Sequence, residues 1–337
     1  MRFGIFDHME RRDQPLSELY EDRLNMVEAA ETMGFWCYHK AEHHFTNMDV
    51  APSSNVFFSA AAQRTERIRF GSLVFLLPLY NPARLLEEIC TLDQMTKGRL
   101  EVGVGKGINP VEHRLWGLDP EETKERFEEV FSLLRSGFLG ETLSHQGEYY
   151  SFDQTPLVLS PYQKGGPPIW YPGNVNYAGS HRLNTIIVGP NSALEGQAKK
   201  YRELIRSAVD DWNPTVETPT IGVMRHIYVA ATDEEAVERL NKAFPQYHRN
   251  LASLWNHYNT EPDPDPSVGG NIEVAMGAHI VVAGSPETVT KHIQEIVESN
   301  SIEYFVGAFA WGDLTHSESL ASMELFAREI MPRFVTS

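Results

Sequence analysis

The sequence predicts an α/β protein folded as a single (β/α)8 TIM barrel with insertions, and three observations lead to this fold class. Strand-like and helix-like segments alternate from one end of the chain to the other. Such alternation favours parallel strands joined by right-handed helical crossovers. About eight strand–helix units are present, and a length of 337 residues suits one barrel with added loops. An open, doubly wound sheet is the alternative arrangement of the same segments.

The first half of the chain supplies four of the predicted units. Gly34 ends the first amphipathic helix, because glycine readily adopts the left-handed conformation found at helix C-termini. The third strand, RFGSLVFLL, is mostly apolar, which is typical of a strand buried on both faces. Asp119, followed by Pro120, marks the start of a later helix. The predicted strands are Arg2–Phe6, Phe35–Lys40, Arg69–Leu77 and Arg99–Gly105, and two of the helices are Ser53–Gln63 and Pro82–Met95.

The second half repeats this pattern. Several helix starts are predicted from capping boxes, in which Ser or Thr is followed three residues later by Glu. These boxes begin at Ser192, Thr232 and Thr315, and Ser285 followed by Pro286 marks one more helix start. The predicted strands are Pro168–Tyr171, Thr185–Val188, Ile221–Ala231 and Tyr304–Phe309, with a further apolar run at Ala278–Ala283.

Two stretches interrupt the alternation. Residues 140–167 contain HQGEYYSFDQ and end in Gly-Gly-Pro-Pro, which predicts a small inserted β excursion. Residues 258–277 contain TEPDPDPSVGGN and are rich in Pro, Asp and Gly. Long loops without secondary structure are often functional, so 258–277 is a candidate lid. Neither stretch amounts to a separate domain, and residues 1–337 are expected to form one barrel.

Composition narrows the classes of protein that fit. Lys and Arg number 29 against 46 Asp and Glu, a formal net charge of −17 that opposes non-specific binding to nucleic acids or anionic membranes. Only Cys37 and Cys90 are present, so a disulfide framework is excluded. The opening MRFGIFDHMERRD lacks the apolar core of a signal peptide, and no run is long enough for a membrane helix. We therefore expect a cytoplasmic globular protein.

Polar residues that follow the predicted strands are the candidates for chemistry, because reactions in a TIM barrel occur at the carboxyl ends of the strands. Glu42-His43-His44 is the sharpest of these groups. Neighbouring side chains at a strand end point in opposite directions, so only one imidazole faces the barrel axis. An imidazole there suits proton transfer near neutral pH. The alternative interpretation is a pair of surface or helix-packing histidines.

Two glycine-rich turns are candidates for binding a phosphate. Gly103-Val104-Gly105-Lys106-Gly107 follows a strand but matches neither the dinucleotide fingerprint nor a Walker loop. It combines backbone N–H groups with one cation, whereas a tight turn with a solvated lysine explains it equally well. Gly173-Asn174-Val175-Asn176 opens a short helix whose N-terminal N–H groups would add donors, or it is an ordinary loop.

Taken together, these segments resemble the bacterial luciferase-like family of flavin-dependent monooxygenases. The matching stretches are MRFGIF, GFWCYHKAEHHFT and the highly specific block RTERIRFGSLVFLLPLYNPARLLEEICTLDQMTKGRLEVGVGKG. GSPETVTKHIQEI and SLASMELFAREIMPRF match the last helices of the family. The likeness runs in order from residue 1 to residue 334, and Glu-His-His indicates the monooxygenase branch.

The resemblance implies a cofactor, a partner and a reaction. The family binds reduced FMN supplied by a separate flavin reductase, and the flavin forms a C4a-hydroperoxide with O2. One oxygen atom then enters a small apolar or amphipathic substrate, such as an aldehyde, a ketone or an alkane-like chain. Family members commonly form dimers through helices of the first half, so a homodimer is expected. Val56-Phe57-Phe58 and Leu85-Leu86 fit that interface, although core packing explains them equally well.

The resemblance also implies roles for individual residues. The first histidine of Glu-His-His, here His43, acts in acid–base chemistry beside the flavin. The basic residue of the fourth-strand turn, here Lys106, contacts the FMN phosphate. The third strand runs under the isoalloxazine ring, often with a non-proline cis peptide, which corresponds to Leu73 and Val74. The remaining phosphate contacts after the fifth strand correspond to Gly173, Asn174 and Tyr177.

This chain departs from bacterial luciferase at two positions of the phosphate turn. Lys106 replaces an arginine, which keeps the charge but loses bidentate geometry. Gly105 replaces a reactive cysteine, so the resemblance does not extend to light emission. An apolar wall that excludes water is expected around the cofactor. Its candidate members are Phe6, Leu73, Phe75, Leu77 and Trp311.

Three rival interpretations follow from the same residues. The first is a deazaflavin (F420)-dependent oxidoreductase of the same fold, which transfers hydride without oxygen. The second is a metal-dependent barrel hydrolase with ligands His8, His226, His279 and Asp313, disfavoured because Glu10 stands where a second histidine is usual. The third is a non-catalytic subunit, which the presence of both His43 and Lys106 argues against.

Overall fold

The computed structural model of the chain describes residues 1–260 and 271–334. Ten strands form one curled, parallel sheet with helices packed around it, and two further strands form a separate antiparallel hairpin. The strands are β1 (Arg2–Asp7), β2 (Cys37–Lys40), β3 (Arg69–Ser72), β4 (Phe75–Leu76), β5 (Leu100–Gly105), β6 (Thr142–Gln146), β7 (Ser151–Pro156), β8 (Ile169–Trp170), β9 (Thr185–Ile187), β10 (Ile221–Val229), β11 (Val281–Gly284) and β12 (Tyr304–Ala308).

Helices occur in most of the connections, as the alternation of segments predicts. They are α1 (Leu16–Met33), α2 (Ser54–Ala62), α3 (Pro82–Thr96), α4 (Pro110–Leu115), α5 (Thr123–Leu139), α6 (Val175–Ser180), α7 (Asn191–Ser207), α8 (Asp233–Tyr258), α9 (Ile272–Gly277), α10 (Pro286–Asn300) and α11 (His316–Leu325). A π-helical turn, Phe326–Ile330, continues α11. Within the described ranges, every helix is too short or too polar to cross a lipid bilayer.

The order of the strands confirms an α/β fold with a curled parallel sheet. β12, β1, β2, β3 and β5 are consecutive neighbours, and β5 also pairs with β8. At the other end β10 pairs with β9, β11 and β12. Backbone hydrogen bonds join the segments of β8 and β9, from Tyr171 N to Asn184 O (2.8 Å) and from Asn184 N to Ile169 O (3.0 Å). Because the strands are parallel, their carboxyl ends share one rim of the sheet.

The third predicted strand, Arg69–Leu77, is divided in the structure. A cis peptide bond joins Leu73 to Val74, between β3 and β4. On one side of it Gly71 pairs with Glu101, and on the other Phe75 pairs with Val104. Four steps along β3–β4 therefore match three steps along β5, which is the register change of a β-bulge.

The capping predictions have different outcomes. At Thr315 both hydrogen bonds of a capping box are present, and Ser285 caps α10 as predicted. Thr232 accepts a hydrogen bond from Glu235 N and caps α8. The box predicted at Ser192 is wrong, because α7 already begins at Asn191 and no side chain caps it.

The two insertions contain regular structure. Residues 140–167 include the hairpin of β6 and β7, which pairs Thr142 with Pro156. The prediction that 258–277 lacks secondary structure is wrong at both ends, since α8 extends to Tyr258 and α9 begins at Ile272. Residues 261–270, the centre of the predicted lid, lie outside the described residues.

Candidate active site

The polar segments that follow the strands meet along the carboxyl rim of the sheet. β1 and β2 pair Asp7 with Lys40, so the chain leaves these two strands at the same level. The residues that come next are His8 on one side and Ala41 to His44 on the other. Asp49 fixes the second segment, because one of its oxygens accepts from Lys40 Nζ (2.7 Å) and from His43 N (3.2 Å).

His43 is hydrogen-bonded to a carboxylate from a different segment of the rim. Its Nδ1 lies 3.2 Å from Oε1 of Glu112, a buried residue of α4. Burial by itself lowers the pKa of His43, but the hydrogen bond and the negative charge of Glu112 outweigh this effect and raise the pKa. With Nδ1 directed at the carboxylate, Nε2 is the nitrogen left for proton transfer.

His44 belongs to a second hydrogen-bonded group. Its Nε2 lies 2.9 Å from Oε1 of Glu42, whose other oxygen accepts from the Tyr80 hydroxyl at 2.9 Å. Glu42 is buried, and burial raises its pKa. The two neighbouring histidines thus bond to different carboxylates, which agrees with the expectation that their side chains diverge.

The cis peptide predicted at Leu73–Val74 is present, and it lies beside the His43 segment. Leu73 N donates to Lys40 O (2.7 Å), which ties the bulge to the end of β2. Both Leu73 and Val74 are half-buried. The half-buried apolar residues Leu73 and Val74 therefore lie beside the segment that carries His43.

Lys106 and Gly173 leave neighbouring strands at equivalent positions. β5 pairs Gly103 with Trp170 of β8, and Lys106 and Gly173 each follow three residues later. The Lys106 side chain is exposed, and its ammonium has no ion-pair partner among residues 1–260 and 271–334. Gly173 has φ of +91° and open space where a Cβ would stand. The strand register thus places the Lys106 cation beside the open turn at Gly173.

Asn174 and Tyr177 have side chains that are already engaged. Asn174 Oδ1 accepts from Asn176 N (3.0 Å) and Tyr177 N (3.1 Å), so Asn174 is the N-cap of α6. The Tyr177 hydroxyl donates to Glu128 Oε2 at 2.9 Å. Their contribution to the turn after β8 is therefore chiefly to fix its backbone.

Two further histidines join the rim, although no local motif links either of them to His43. The ring centroid of His8 lies 5.9 Å from that of His43 and 6.4 Å from that of His226 in β10. The Tyr247 ring is 4.5 Å from His226. Burial, followed by nearby positive groups, lowers the pKa of His8 well below its usual value and that of His226 to about 4. Both imidazoles are therefore neutral at neutral pH.

The metal-ligand set considered from the sequence is not assembled. His279 lies against His292, with ring centroids 4.8 Å apart, and Asp313 pairs with Arg239 at 2.7 Å. His279, His292 and Glu295 have potential ligand atoms within 4.8 Å of one another. However, His279 Nδ1 lies 2.9 Å from the Asn191 amide nitrogen, which acts as its donor. This polarity is opposite to that of a metal-binding histidine, whose second nitrogen donates.

The apolar wall is only partly as predicted. Phe6, Leu73 and Trp311 belong to one hydrophobic cluster that also contains Ala41 and Trp170. The prediction for Phe75 and Leu77 is wrong, because both are fully buried in the main core between the sheet and its helices. These two residues alternate with Leu76 along an apolar run, and apolarity alone does not show which face of the sheet a side chain occupies.

The second half of α8 crosses the rim beyond Pro245. Tyr247 contacts His226, and Asn250 Nδ2 donates to Glu10 Oε2 at 2.9 Å. One turn further, Ser253 Oγ lies 2.8 Å from Oγ1 of Thr46. This one helix therefore contacts β10 and the segments after β1 and β2.

A curled parallel sheet with acid–base groups along its carboxyl rim defines an α/β enzyme. Residues 1–301 match the family model of luciferase-like monooxygenases, and the chain belongs to this family. One relative is 32% identical over 337 residues, the uncharacterized protein y4wF of Sinorhizobium fredii, covering 99% of this chain and 97% of the relative. The oxygenase component of the flavin-dependent trigonelline monooxygenase of Acinetobacter baylyi is 26% identical, covering 100% and 96%.

Solved structures agree on the fold. The monooxygenase RslO1 of Streptomyces bottropensis superposes with a TM-score of 0.88 at 23% identity, covering 99% of this chain and 100% of that one. The oxygenating constituent of 3,6-diketocamphane monooxygenase of Pseudomonas putida, a type II Baeyer–Villiger enzyme in complex with FMN, gives 0.84 at 21%, covering 100% of both. An F420-dependent secondary alcohol dehydrogenase gives 0.74 at 20%, covering 99% of both. The chain is a luciferase-like, flavin-dependent monooxygenase and hence an oxidoreductase.

Proposed function

We propose that this chain is the oxygenase component of a two-component, FMN-dependent monooxygenase. A separate reductase supplies reduced FMN, and one oxygen atom of O2 enters a small apolar or amphipathic substrate, such as an aldehyde, a ketone or an alkane-like chain. The observation that carries the proposal is that the His43–Glu112 pair and the Leu73–Val74 bulge adjoin the end of β2, while Lys106 follows β5, which lies on the other side of β3.

The residues present fit FMN as the cofactor. Lys106 offers an exposed cation, and Gly173 offers a turn with space for a phosphate to approach the backbone. Leu73 and Val74 offer a half-buried apolar edge for the flavin ring, while Asn174 and Tyr177 hold the turn in place. When bound, reduced FMN supplies the electrons that activate O2.

His43 is the proton donor and acceptor of the proposed site. Glu112 orients the ring through Nδ1 and stabilises the imidazolium form, which raises the pKa of His43 and leaves Nε2 to exchange the proton. General acid–base groups are most effective when their pKa lies near the working pH. Phe6 and Trp311, both buried, would help to exclude water from this proton transfer.

Two features of assembly belong to the same proposal. Hydrogen bonds between the β8 and β9 segments support closure of the curled sheet into an eight-stranded barrel of β1, β2, β3, β5, β8, β9, β10 and β12. The homodimer expected from the family resemblance is also part of the proposal, and Val56 of α2, with 72% of its surface exposed, is the residue of the predicted interface that lies on the surface. Phe57, Phe58, Leu85 and Leu86 are buried in the core and do not contribute to that surface.

F420 is the second candidate cofactor, because the chain also shares its fold with an F420-dependent alcohol dehydrogenase. The test is anaerobic titration of the purified protein with reduced FMN and with reduced F420. Tighter binding of FMN, followed by substrate oxygenation when O2 is admitted, is the expected result. Selective binding of F420, or return of oxidised FMN as fast as without protein, would contradict the proposal.

Lys106 gives a sharper prediction for the phosphate. Charge-assisted hydrogen bonds contribute roughly 1.5–3 kcal/mol, so Lys106→Ala should weaken FMN binding by about 10- to 100-fold. Lys106→Arg should retain most of the affinity, since the positive charge remains. Lys199→Ala, which removes a lysine of α7, is the matched control and should bind FMN normally. Equal affinities for riboflavin and FMN in the unmodified chain would show that Lys106 holds no phosphate.

A further inference from the structure

His8 and His226 carry imidazole nitrogens that the fold leaves without hydrogen bonds. Nε2 of His226 is buried and has no hydrogen-bond partner in the part of the chain that the structure describes. His8 is half-buried, and neither of its ring nitrogens is bonded to a residue within 1–260 or 271–334. A buried polar group without a partner is costly, and native proteins rarely keep one without a ligand or a water.

The two rings lie next to each other and are nearly parallel. Their planes are inclined by only 13° and their centroids are 6.4 Å apart, with His43 on the other side of His8 at 5.9 Å. Phe6 packs against His8 at 4.7 Å, and Trp311 packs against His226 at 5.4 Å. The rings of His226, His8 and His43 therefore follow one another along the rim, with the apolar rings of Trp311 and Phe6 packed against the first two.

The charge state of this pair differs from that of His43. His43 has a carboxylate partner, whereas the groups that act on His8 and His226 are other histidines, Lys40 and Arg225. No carboxylate among the described residues stabilises either imidazole as a cation, and burial favours the neutral form. A neutral imidazole presents one N–H donor and one acceptor without a net charge.

We propose that His8 and His226 bind an uncharged, oxygen-bearing group of the substrate, foremost a carbonyl, and so select ketones and related compounds over plain hydrocarbons. This inference rests on the proposed function, because it concerns the substrate side of the same site. The two imidazoles donate N–H to the carbonyl oxygen and hold the substrate beside His43. A site built to hydrogen-bond an oxygen rejects an analogue that lacks it, since its own polar groups then remain unpaired.

The test uses four probes of similar shape: cyclohexanone, cyclohexanol, cyclohexane and cyclohexanecarboxylate. Binding to the full chain without flavin is measured by ligand-observed NMR, so the result does not depend on turnover. Cyclohexanone should bind at least about tenfold more tightly than cyclohexane. Equal binding of ketone and hydrocarbon, tightest binding of the carboxylate, or no binding of the ketone would each overturn the inference.

Variants assign the preference to the two histidines. His226→Phe and His8→Phe keep a ring but remove the hydrogen bonds, and each should reduce the preference for cyclohexanone to about twofold or less. His226→Asn, which keeps a hydrogen-bonding group, should restore part of it. His145→Gln, in the hairpin, removes an imidazole elsewhere and should change nothing. An unchanged preference in both phenylalanine variants, each confirmed as folded by its thermal unfolding, would refute the assignment.

The same variants separate this inference from the proposed function. Reduced FMN binding by the unmodified chain and its reaction with O2 test Lys106, the Leu73–Val74 bulge and His43, whereas the loss of ketone preference in the phenylalanine variants tests His8 and His226. If FMN binds and reacts with O2 as expected but cyclohexanone is not preferred, only the inference about His8 and His226 is refuted. A ketone preference without any binding of FMN would remove the proposed function and leave a carbonyl-binding site.

Discussion

At the scale of single residues, Glu112 controls the ionisation of His43. The two side chains are brought together from the segment after β2 and from α4, at 3.2 Å. Replacing Glu112 by Gln removes the negative charge and keeps the shape. The opposing effect of burial then dominates, so the pKa of His43 should fall.

NMR titration of the imidazole signals measures this change directly. Glu129→Gln is the matched control, because it removes a carboxylate 3.1 Å from His145 instead. An His43 titration curve that is the same in Glu112→Gln and in the unmodified chain would show that the pair does not govern the proton. If protonated His43 is needed for turnover, the loss of activity with rising pH should also begin at lower pH in Glu112→Gln.

Single candidate residues of the rim could be predicted from the sequence, but the contacts between residues from distant segments could not. His43 and Lys106 are candidates because they stand within recognisable local motifs, whereas the Leu73–Val74 bond is a candidate through the family resemblance. Glu112 has no such motif, and its role exists only because α4 returns to the rim. The sequence places His8 and His226 with His279 and Asp313 as possible metal ligands, because it contains no distances between strands that are far apart along the chain.

At the scale of elements, the capping box at Thr315 gives a stability prediction. Thr315 Oγ1 accepts from Glu318 N at 3.3 Å, and Glu318 Oε2 accepts from Thr315 N at 2.8 Å. Thr315→Ala removes the side-chain half of this box and should lower the free energy of unfolding by about 1 kcal/mol. Urea denaturation monitored by circular dichroism measures the change.

Ser192→Ala is the natural comparison, because Ser192 and Glu195 have the spacing of a capping box but form none. Its effect should be close to zero, and equal losses in the two variants would mean that the boxes are not the cause. The pattern fails at Ser192 because Pro190 precedes the helix and Asn191 is its first residue. The Asn191 side chain is held by Arg225 and His279, a tertiary contact that a local pattern does not contain.

The third strand shows the same limit in another form. Its apolar run predicted one continuous strand, and the structure divides it at the Leu73–Val74 bond. Hydrophobicity reports burial on both faces but not the register against a neighbour. The position of the cis bond came from the family resemblance and not from the pattern of residues.

At the scale of the whole molecule, Glu10 connects three distant parts of the chain. Its carboxylate accepts from Asn250 of α8 and, at 3.2 Å, from the backbone N of Gly312 after β12. Burial, only partly offset by these hydrogen bonds, raises its pKa from 4.5 to about 7. The folded protein therefore binds this proton more tightly than the unfolded chain does.

The sign of the pH dependence follows from linkage. Between pH 4.5 and 7 the folded state holds more protons at Glu10, so its contribution to stability declines as the pH rises through this interval and is constant above it. The total loss corresponds to about 3 kcal/mol. Glu10→Gln should therefore gain stability relative to the unmodified chain as the pH rises from 5 to 8.

Thermal and urea unfolding at several pH values check this prediction, with the difference between the two proteins isolating Glu10 from other buried acids. Glu18→Gln, in the exposed first turn of α1, should leave the difference flat. A Glu10→Gln protein whose relative stability does not change with pH would show that Glu10 is ionised in the fold throughout.

The overall architecture was the most predictable level, because it depends on the sum of many weak signals. Alternation of strands and helices over the whole chain predicted the parallel sheet even where individual boundaries moved. The ends of the 258–277 segment were missed, since α9 is a single short helix whose cap, Asn271, follows a Pro- and Gly-rich stretch. The Pro- and Gly-rich composition of the segment favoured a loop, although its end forms a helix of six residues.

The path of α8 across the rim bears on how such an enzyme diversifies. Beyond Pro245, one helix carries Tyr247, Asn250 and Ser253 to three separate segments of the site. Because it is a helix outside the sheet, substitutions of its side chains do not disturb the pairing of the strands. Exchange of this single stretch between descendants of a common ancestor would alter what the enzyme accepts while leaving its scaffold inherited intact.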